Sequence, residues 1–168
     1  MTIRGQAELP VIKMHHGFEV YPKPMFAAMA TADVNVLAQW YQAALNFGIM
    51  FRAPDRDGQP MLVHLRCRKY QDVLIRPAAL GAATAGAGSW SICFQADEDV
   101  DQLAARAAAV PIIGKACVEP PADTPWNTRQ VRIIDPDGRA LVFSQPRFDP
   151  ELTRRMREAF EADSGAAP

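Results

Sequence analysis

The chain has 168 residues, a formal net charge of −1 and a pI near 6.3, so it lacks the positive field that attracts nucleic acid or an anionic membrane surface. No apolar run approaches the roughly 20 residues of a membrane helix, and residues 1–11 lack the apolar segment of a secretory signal, so we expect a cytoplasmic protein. Three widely spaced cysteines, Cys67, Cys93 and Cys117, predict reduced thiols rather than a disulfide framework.

Residues 1–24 form a predicted N-terminal arm, because they show no hydrophobic periodicity and contain three prolines. The arm carries His15 and His16. Adjacent side chains of an extended chain point to opposite sides, so we expect surface histidines, although a metal-binding role stays open.

The next segment predicts a strand, a helix and three further strands. Residues 25–31 form the first strand, and Asp33 is placed to cap a helix whose buried stripe comprises Leu37, Trp40, Tyr41, Ala44 and Leu45. Gly48 is expected to end this helix. Strands over residues 49–53, 61–67 and 70–76 follow, separated by turns at 55–58 and 68–69.

The second half repeats this order after an Ala/Gly-rich linker at residues 79–88. A strand is predicted over 89–96, and Asp99 caps a helix that turns Val100, Leu103, Ala104, Ala107 and Ala108 inward. A short strand near 115–119 precedes a hairpin over 131–145, whose turn is Asp135-Pro136-Asp137-Gly138. A last amphipathic helix carries Leu152, Met156, Ala159 and Phe160.

Two sequence matches indicate that the halves are an internal repeat. Asp33-Val34-x-x-Leu37 recurs as Asp99-Val100-x-x-Leu103, and Asp55-x-Asp57-Gly58 recurs as Asp135-x-Asp137-Gly138. We therefore predict an α+β fold of two tandem βαβββ modules, residues 25–78 and 88–146, that form a curved mixed sheet with helices on its convex face. Residues 147–168 are the C-terminal helix and tail.

Strand alternation predicts which face of the sheet lines a pocket. The apolar residues Val63, Leu65, Val73, Ile75, Ile92, Phe94, Leu141 and Phe143 should meet the helices, and Trp90 should lie on that side. The opposite face mixes small, apolar and polar groups, as small-molecule pockets do. It holds Phe26, Ala28, Leu62, His64, Arg66, Leu74, Ser89, Ser91, Cys93, Ala140, Val142 and Ser144.

Four residues on or beside this face allow more than one role. His64 is either a general base or a hydrogen-bonding histidine, and no acidic residue is predictable beside it. Arg66 either meets an anionic group or is solvated. We expect Cys93 to be a small buried residue rather than a nucleophile. Trp126 lies in a long proline-flanked loop, where it either stacks on a ligand or caps the core.

The order of elements and several motifs resemble the vicinal oxygen chelate superfamily, the group of glyoxalases, extradiol dioxygenases and bleomycin resistance proteins. The resemblance covers residues 25–146. Its motifs are Met29-x-Thr31-x-Asp33-Val34, Trp40-Tyr41, Leu45-x-Phe47-Gly48, Pro125-Trp126-Asn127-x-Arg129 and Asp135-Pro136-Asp137-Gly138.

The resemblance also implies where a metal would bind, because enzymes of the superfamily hold a divalent ion with four side chains. The matching positions are Phe26, Leu74, Ser91 and Val142, which are not suitable ligands. The resemblance therefore implies the metal-free, antibiotic-binding branch: no cofactor, no catalytic residue and a homodimer that binds a small aromatic molecule. The alternatives are an enzyme that uses no metal or unusual ligands such as His15, His16 and His64, and a regulatory module without a ligand.

Overall fold

Each half of the chain forms one β-sheet with one helix packed against it. The computed structural model describes residues 25–79, 90–147 and 149–164; the predicted arm with His15 and His16, most of the linker and Ser89 lie outside these ranges. The chain divides into two units, residues 1–84 and 85–168. None of the described helices is long and apolar enough to cross a membrane.

The first unit contains β1 (Ala27–Thr31), α1 (Val34–Leu45), β2 (Gly48–Pro54), β3 (Pro60–Arg68) and β4 (Gln71–Pro77). Its strands lie in the order β1-β4-β3-β2, with β1 parallel to β4 and the other pairs antiparallel. The predicted sequence of strand, helix and three strands is confirmed.

The second unit contains β5 (Ser91–Gln95), α2 (Val100–Ala109), β6 (Cys117–Val118), β7 (Ala122–Asp123), β8 (Thr128–Ile134), β9 (Ala140–Pro146) and α3 (Pro150–Ser164). The order β5-β9-β8-β6, with β5 parallel to β9, repeats that of the first sheet. The two-residue strand β7, which also pairs with β8, was not predicted from the sequence.

Both predicted N-caps are confirmed. The Asp33 carboxylate accepts a hydrogen bond from the Val36 N–H (2.9 Å), and Asp99 accepts from the N–H groups of Asp101 and Gln102. The predicted end of α1 at Gly48 is wrong. Asn46 ends the helix in the left-handed conformation (φ 57°), which asparagine tolerates, and Gly48 begins β2. Ala108, expected inside, is exposed on α2.

The predicted core faces are confirmed in both sheets. Val63, Leu65, Val73 and Ile75 are fully buried on the side of the first sheet that packs against α1. In the second sheet the buried residues of the helix-facing side include Phe94 and Phe143, whose rings stack at 5.2 Å, together with Val131, Ile133 and Leu141. Ile92 is only half-buried.

The shared strand order confirms the internal repeat, but one of the two sequence matches is not part of it. The Asp55 turn joins β2 to β3, whereas the Asp135 turn joins β8 to β9, the counterparts of β3 and β4. The two turns still fold alike, because each aspartate accepts bonds from the N–H groups two and four residues on. The α+β class and the tandem modules are therefore confirmed, and the placement of both helices on a convex face stays a prediction.

Candidate functional site

The face of the first sheet that points away from α1, its open face, carries a row of paired residues from all four strands. Ala28 pairs with Leu74, Leu74 with His64, and His64 with Phe51. Phe51 and Phe26, which precedes β1, are each 47% exposed. The sequence-predicted residues Phe26, His64, Arg66 and Leu74 therefore share the open face, and Phe51 joins them.

A bulge in β2 explains why strand alternation did not identify Phe51. Ile49 pairs with Leu65 and Phe51 with His64, so Met50 is an extra residue in β2. Ile49 is consequently buried against the core while Phe51 is exposed on the opposite side. Without the bulge the two side chains would share one face.

The same face carries a buried cluster of His64, Arg66 and Asp72, so this part of it is not exposed to solvent. The Oδ1 atom of Asp72 lies 2.6 Å from Nε2 of His64 and accepts a hydrogen bond from Nε of Arg66 at 2.9 Å. The three residues are 9%, 2% and 3% exposed. His64 therefore has an acidic partner that the sequence did not predict, and the alternative of a solvated Arg66 is wrong.

Strand alternation alone could have predicted that Asp72 lies on this face. Asp72 stands two residues before Leu74 on β4, so both lie on the same face, and the turn after β3 sets Asp72 opposite Arg66. Asp72 fixes the orientation of the His64 ring through Nε2. Any proton transfer from His64 to a ligand would therefore have to use Nδ1.

The open face of the second sheet carries a shallow depression of about 370 Å³. Cys93 pairs with Val142, and Gln95 with Ser144, so the predicted positions Ser91, Cys93, Val142 and Ser144 do lie on one face. Among the residues that the structure describes, the lining includes no charged one. It consists of Cys93, Phe94, Gln95, Thr128, Gln130, Ser144 and Pro146.

Cys93 is exposed, which corrects the expectation of a buried thiol. It points away from the core because its neighbour Phe94 points into it. Its Sγ atom lies 3.9 Å from the Ser91 hydroxyl. The predicted ligand-binding position is thus accessible from solvent.

Two tryptophans of this unit are exposed. Trp126 is 56% exposed, and its loop is a tight turn between β7 and β8 rather than the long loop expected, closed by a bond from the Thr124 N–H to the Thr128 carbonyl. Exposure of the indole favours an interaction role over capping of the core. Trp90, predicted on the core side, is 50% exposed because it precedes β5 and does not follow the alternation of that strand.

The four positions that the resemblance assigns to a metal carry side chains that are poor ligands. Phe26 directly precedes β1, the strand beside the one that carries Leu74, and Val142 and Ser91 occupy neighbouring strands of the second sheet. Hydrocarbon side chains and one hydroxyl do not form a divalent-metal site. Within the described ranges no three His, Cys, Asp or Glu residues are grouped to hold an ion. The predicted convergence of all four positions on one cavity stays a prediction.

No protein-family model and no curated protein matches the chain. Several solved structures do match the chain. TioX from Micromonospora sp. ML1 is 21% identical, with a TM-score of 0.56, over 74% of this chain and 97% of TioX. The bleomycin resistance determinant encoded on transposon Tn5 is 20% identical (TM-score 0.56), over 76% of this chain and all of that protein.

A third similar structure is TnmS3, an antibiotic-binding protein from Streptomyces sp. CB03234, with 20% identity and a TM-score of 0.56 over 78% of this chain and 99% of TnmS3. These likenesses span nearly the whole of each relative and agree with the strand order and paired modules described above. The chain therefore has the fold of these bleomycin resistance and antibiotic-binding structures, which is the fold that the sequence resemblance implied.

Proposed function

We propose that the protein binds a planar aromatic or heterocyclic molecule, such as an antibiotic, without a metal, and protects the cell by sequestering it. The observation that carries the proposal is the composition of the two open faces. The first sheet presents the half-exposed rings of Phe26 and Phe51, and the described lining of the depression in the second sheet offers uncharged polar groups. The resemblance places hydrocarbon side chains at most of the metal-ligand positions.

The aromatic side chains supply the affinity in this proposal. Phe26 and Phe51 are each 47% exposed, so a ligand that covers either ring removes apolar area from water. Such burial is worth about 25 cal/mol per Å² before the cost of association is subtracted. A stacked aromatic pair adds roughly 0.5–1.5 kcal/mol.

The polar groups of the second sheet determine which ligand chemistry fits. The side chains of Gln95, Gln130, Thr128 and Ser144 around the depression can donate and accept hydrogen bonds but carry no charge. They suit the ring nitrogens, amides and hydroxyls of a neutral heterocycle. His64 and Arg66 are bound to Asp72 in the first sheet, so they contribute orientation more than net charge.

The names of two similar proteins agree with this proposal, since one is a bleomycin resistance determinant and one an antibiotic-binding protein. An identity of 20% supports the comparison of folds and leaves the ligand to be identified. We include in the proposal that the protein acts in the cytoplasm as a homodimer.

Calorimetric titration with a panel of aromatic antibiotics tests the proposal. We expect saturable binding of at least one compound, weakened about tenfold or more by Phe51→Ala. Tyr70→Asn is the matched control. Tyr70 is an aromatic residue of similar exposure (52%, against 47% for Phe51), but it lies in the turn after β3. Absence of binding across the panel, or equal effects of both substitutions, would contradict it.

The contact between His64 and Asp72 supports a second candidate, a metal-independent enzyme of the same fold. A histidine held by a carboxylate is an arrangement used for proton transfer. Chromatography of each bound compound after prolonged incubation separates the two functions. Sequestration predicts unchanged ligand, whereas a product whose formation is abolished by His64→Gln would establish the enzyme.

A further inference from the structure

Arg76 stands on the open face of the first sheet, on an inner strand. It follows Leu74 by two residues on β4, so the two side chains share that face. Ala30 of β1 pairs with Arg76 on one side, and the antiparallel register of β3 sets Leu62 opposite it on the other. The arginine therefore emerges between a small and an apolar side chain, neither of which can pair with its charge.

The side chain of Arg76 is exposed and, within the described ranges, has no acidic or hydrogen-bonding partner. Several other arginines on strands are held by a carboxylate or an amide oxygen; they are Arg52, Arg66, Arg129 and Arg132. Arginine keeps its charge throughout the physiological pH range. The five donors of the Arg76 guanidinium are therefore available to a ligand on this face.

The charges of the open face do not balance around Arg76. Alternation along β4, and along β3 as far as Arg66, places two arginines on the face against one carboxylate, that of Asp72. Asp72 is buried and already bonded to His64 and Arg66. This part of the face therefore carries a surplus positive charge, although the whole chain has a net charge of −1.

Phe51 lies within reach of a ligand that touches Arg76. Leu74, His64 and Phe51 form one row across three strands, and Arg76 is one row further along β4. With strands about 4.8 Å apart and a rise of about 3.3 Å per residue, the Cα atoms of Arg76 and Phe51 are about 12 Å apart. A planar ligand of two fused rings can cover Phe51 while a group on its edge reaches the guanidinium.

We propose that Arg76 binds an anionic group of the ligand, which is therefore an aromatic ring system that bears a carboxylate or a phosphate. The planar guanidinium can donate two parallel hydrogen bonds to either group. The rings cover Phe51 and pack over Leu74. This assignment rests on the proposed function, since it names the charge of the molecule that the first sheet binds.

Calorimetric titration with three probes of similar shape tests the assignment: naphthoate, naphthyl phosphate and the neutral naphthamide. We expect at least one of the anions to bind about tenfold more tightly than naphthamide, as a hydrogen bond to a charged group allows. Arg76→Gln should abolish this difference. Arg76→Lys, which retains the charge but not the planar fork, should keep part of it.

Arg56→Gln is the matched control, because Arg56 is an exposed arginine of the same unit that lies in the turn between β2 and β3. It should leave the affinity for all three probes unchanged. Neither exposed arginine is part of the core, so thermal unfolding should give similar midpoints for both variants and the unmodified chain. Added salt should weaken binding of the anions and leave that of naphthamide unaffected, because the Arg76 charge is exposed.

The outcomes separate this assignment from the proposed function. Equal affinity for the three probes, or a preference for an anion that survives Arg76→Gln, would overturn the role of Arg76. An effect of Phe51→Ala on the same probes would then still support aromatic binding. Absence of binding of all three probes up to about 10 mM would also overturn the assignment, and the titration with antibiotics would decide the proposed function by itself.

Discussion

At the scale of single residues, the main finding is that Asp72 serves two neighbours through one oxygen atom. Its Oδ1 contacts both His64 and Arg66 in a region where all three side chains are buried. Residue alternation could place these groups on one face, but the partner of His64 depends on the register between β3 and β4. The turn that sets this register contains Tyr70 in the left-handed conformation (φ 68°). A bulky residue such as tyrosine rarely adopts this conformation, so the sequence does not predict the turn.

Replacing Asp72 with Asn should destabilise the protein by about 3 kcal/mol, because the buried Arg66 guanidinium then faces a neutral amide. His64→Gln should cost less, since glutamine can keep one hydrogen bond. Urea unfolding measures both free energies. Asp57→Asn, at an exposed turn position, is the control and should change little. An Asp72→Asn protein as stable as the original would show that the cluster contributes nothing to folding.

Trp126 is the residue whose role in ligand binding can be tested most directly. Because its indole is 56% exposed, Trp126→Ala should leave the free energy of unfolding nearly unchanged. Loss of stacking and of buried apolar area should weaken ligand binding by about tenfold or more. Calorimetry gives the dissociation constant, and Trp90→Ala serves as the comparison. Unaltered affinity in Trp126→Ala would remove this residue from the site.

At the scale of elements, the sequence predicted what depends on neighbours along the chain. The caps at Asp33 and Asp99 and the core faces follow from local hydrogen bonding and periodicity. The bulge at Met50, the strand β7 and the end of α1 at Asn46 were missed. The bulge and β7 arise from pairing between strands, which a local pattern does not contain, and the helix end depends on an asparagine that tolerates the left-handed conformation.

The Asp55 and Asp135 turns offer a matched pair of the same local structure in different surroundings. Asp135 is fully buried, and Arg139, which is 4% exposed, bonds to it at 3.1 Å. Burial alone would lower the pKa of Arg139, but the Asp135 and Asp137 carboxylates outweigh it and raise that pKa. Asp55, by contrast, is exposed. The residue four positions after it is the uncharged Gln59, whereas the residue four positions after Asp135 is Arg139.

Asp135→Ala should therefore destabilise the protein by about 3 kcal/mol, because it removes one of the two carboxylates that neutralise the buried Arg139 guanidinium and leaves only Asp137, at 2.7 Å. Asp55→Ala should cost only about 1 kcal/mol, the usual contribution of a solvent-accessible hydrogen-bonded turn. Chemical denaturation of the two variants gives the difference. Equal losses would mean that the bonds which each aspartate side chain accepts from backbone N–H groups, and not the buried ion pair, decide the stability.

At the scale of the whole molecule, the fold was predictable while the ligand was not. The order of elements in two repeated modules, together with their core faces, requires only apolar residues at the right period, so it persists at about 20% identity to the antibiotic-binding structures. The exposed positions of the opposite faces, such as Phe51 and Cys93, contribute less to the core and are free to change. Alternation could place Asp72 on its face but not beside His64, and the bulge that exposes Phe51 has no local pattern, so both contacts became visible only in the structure.

The side chains at the four positions that the resemblance assigns to a metal lead to a prediction about metal dependence. If Phe26, Leu74, Ser91 and Val142 stand where the enzymes hold an ion, then bound ligand should stabilise the protein equally with and without a chelator. At a ligand concentration of 100 times the dissociation constant the gain in unfolding free energy should be about 2.7 kcal/mol in both cases. Thermal unfolding with EDTA, and again with added zinc, nickel or manganese, measures it. A gain that disappears with EDTA and returns with one metal would show that residues other than these four supply the ligands, and it would favour the enzyme over the sequestering protein.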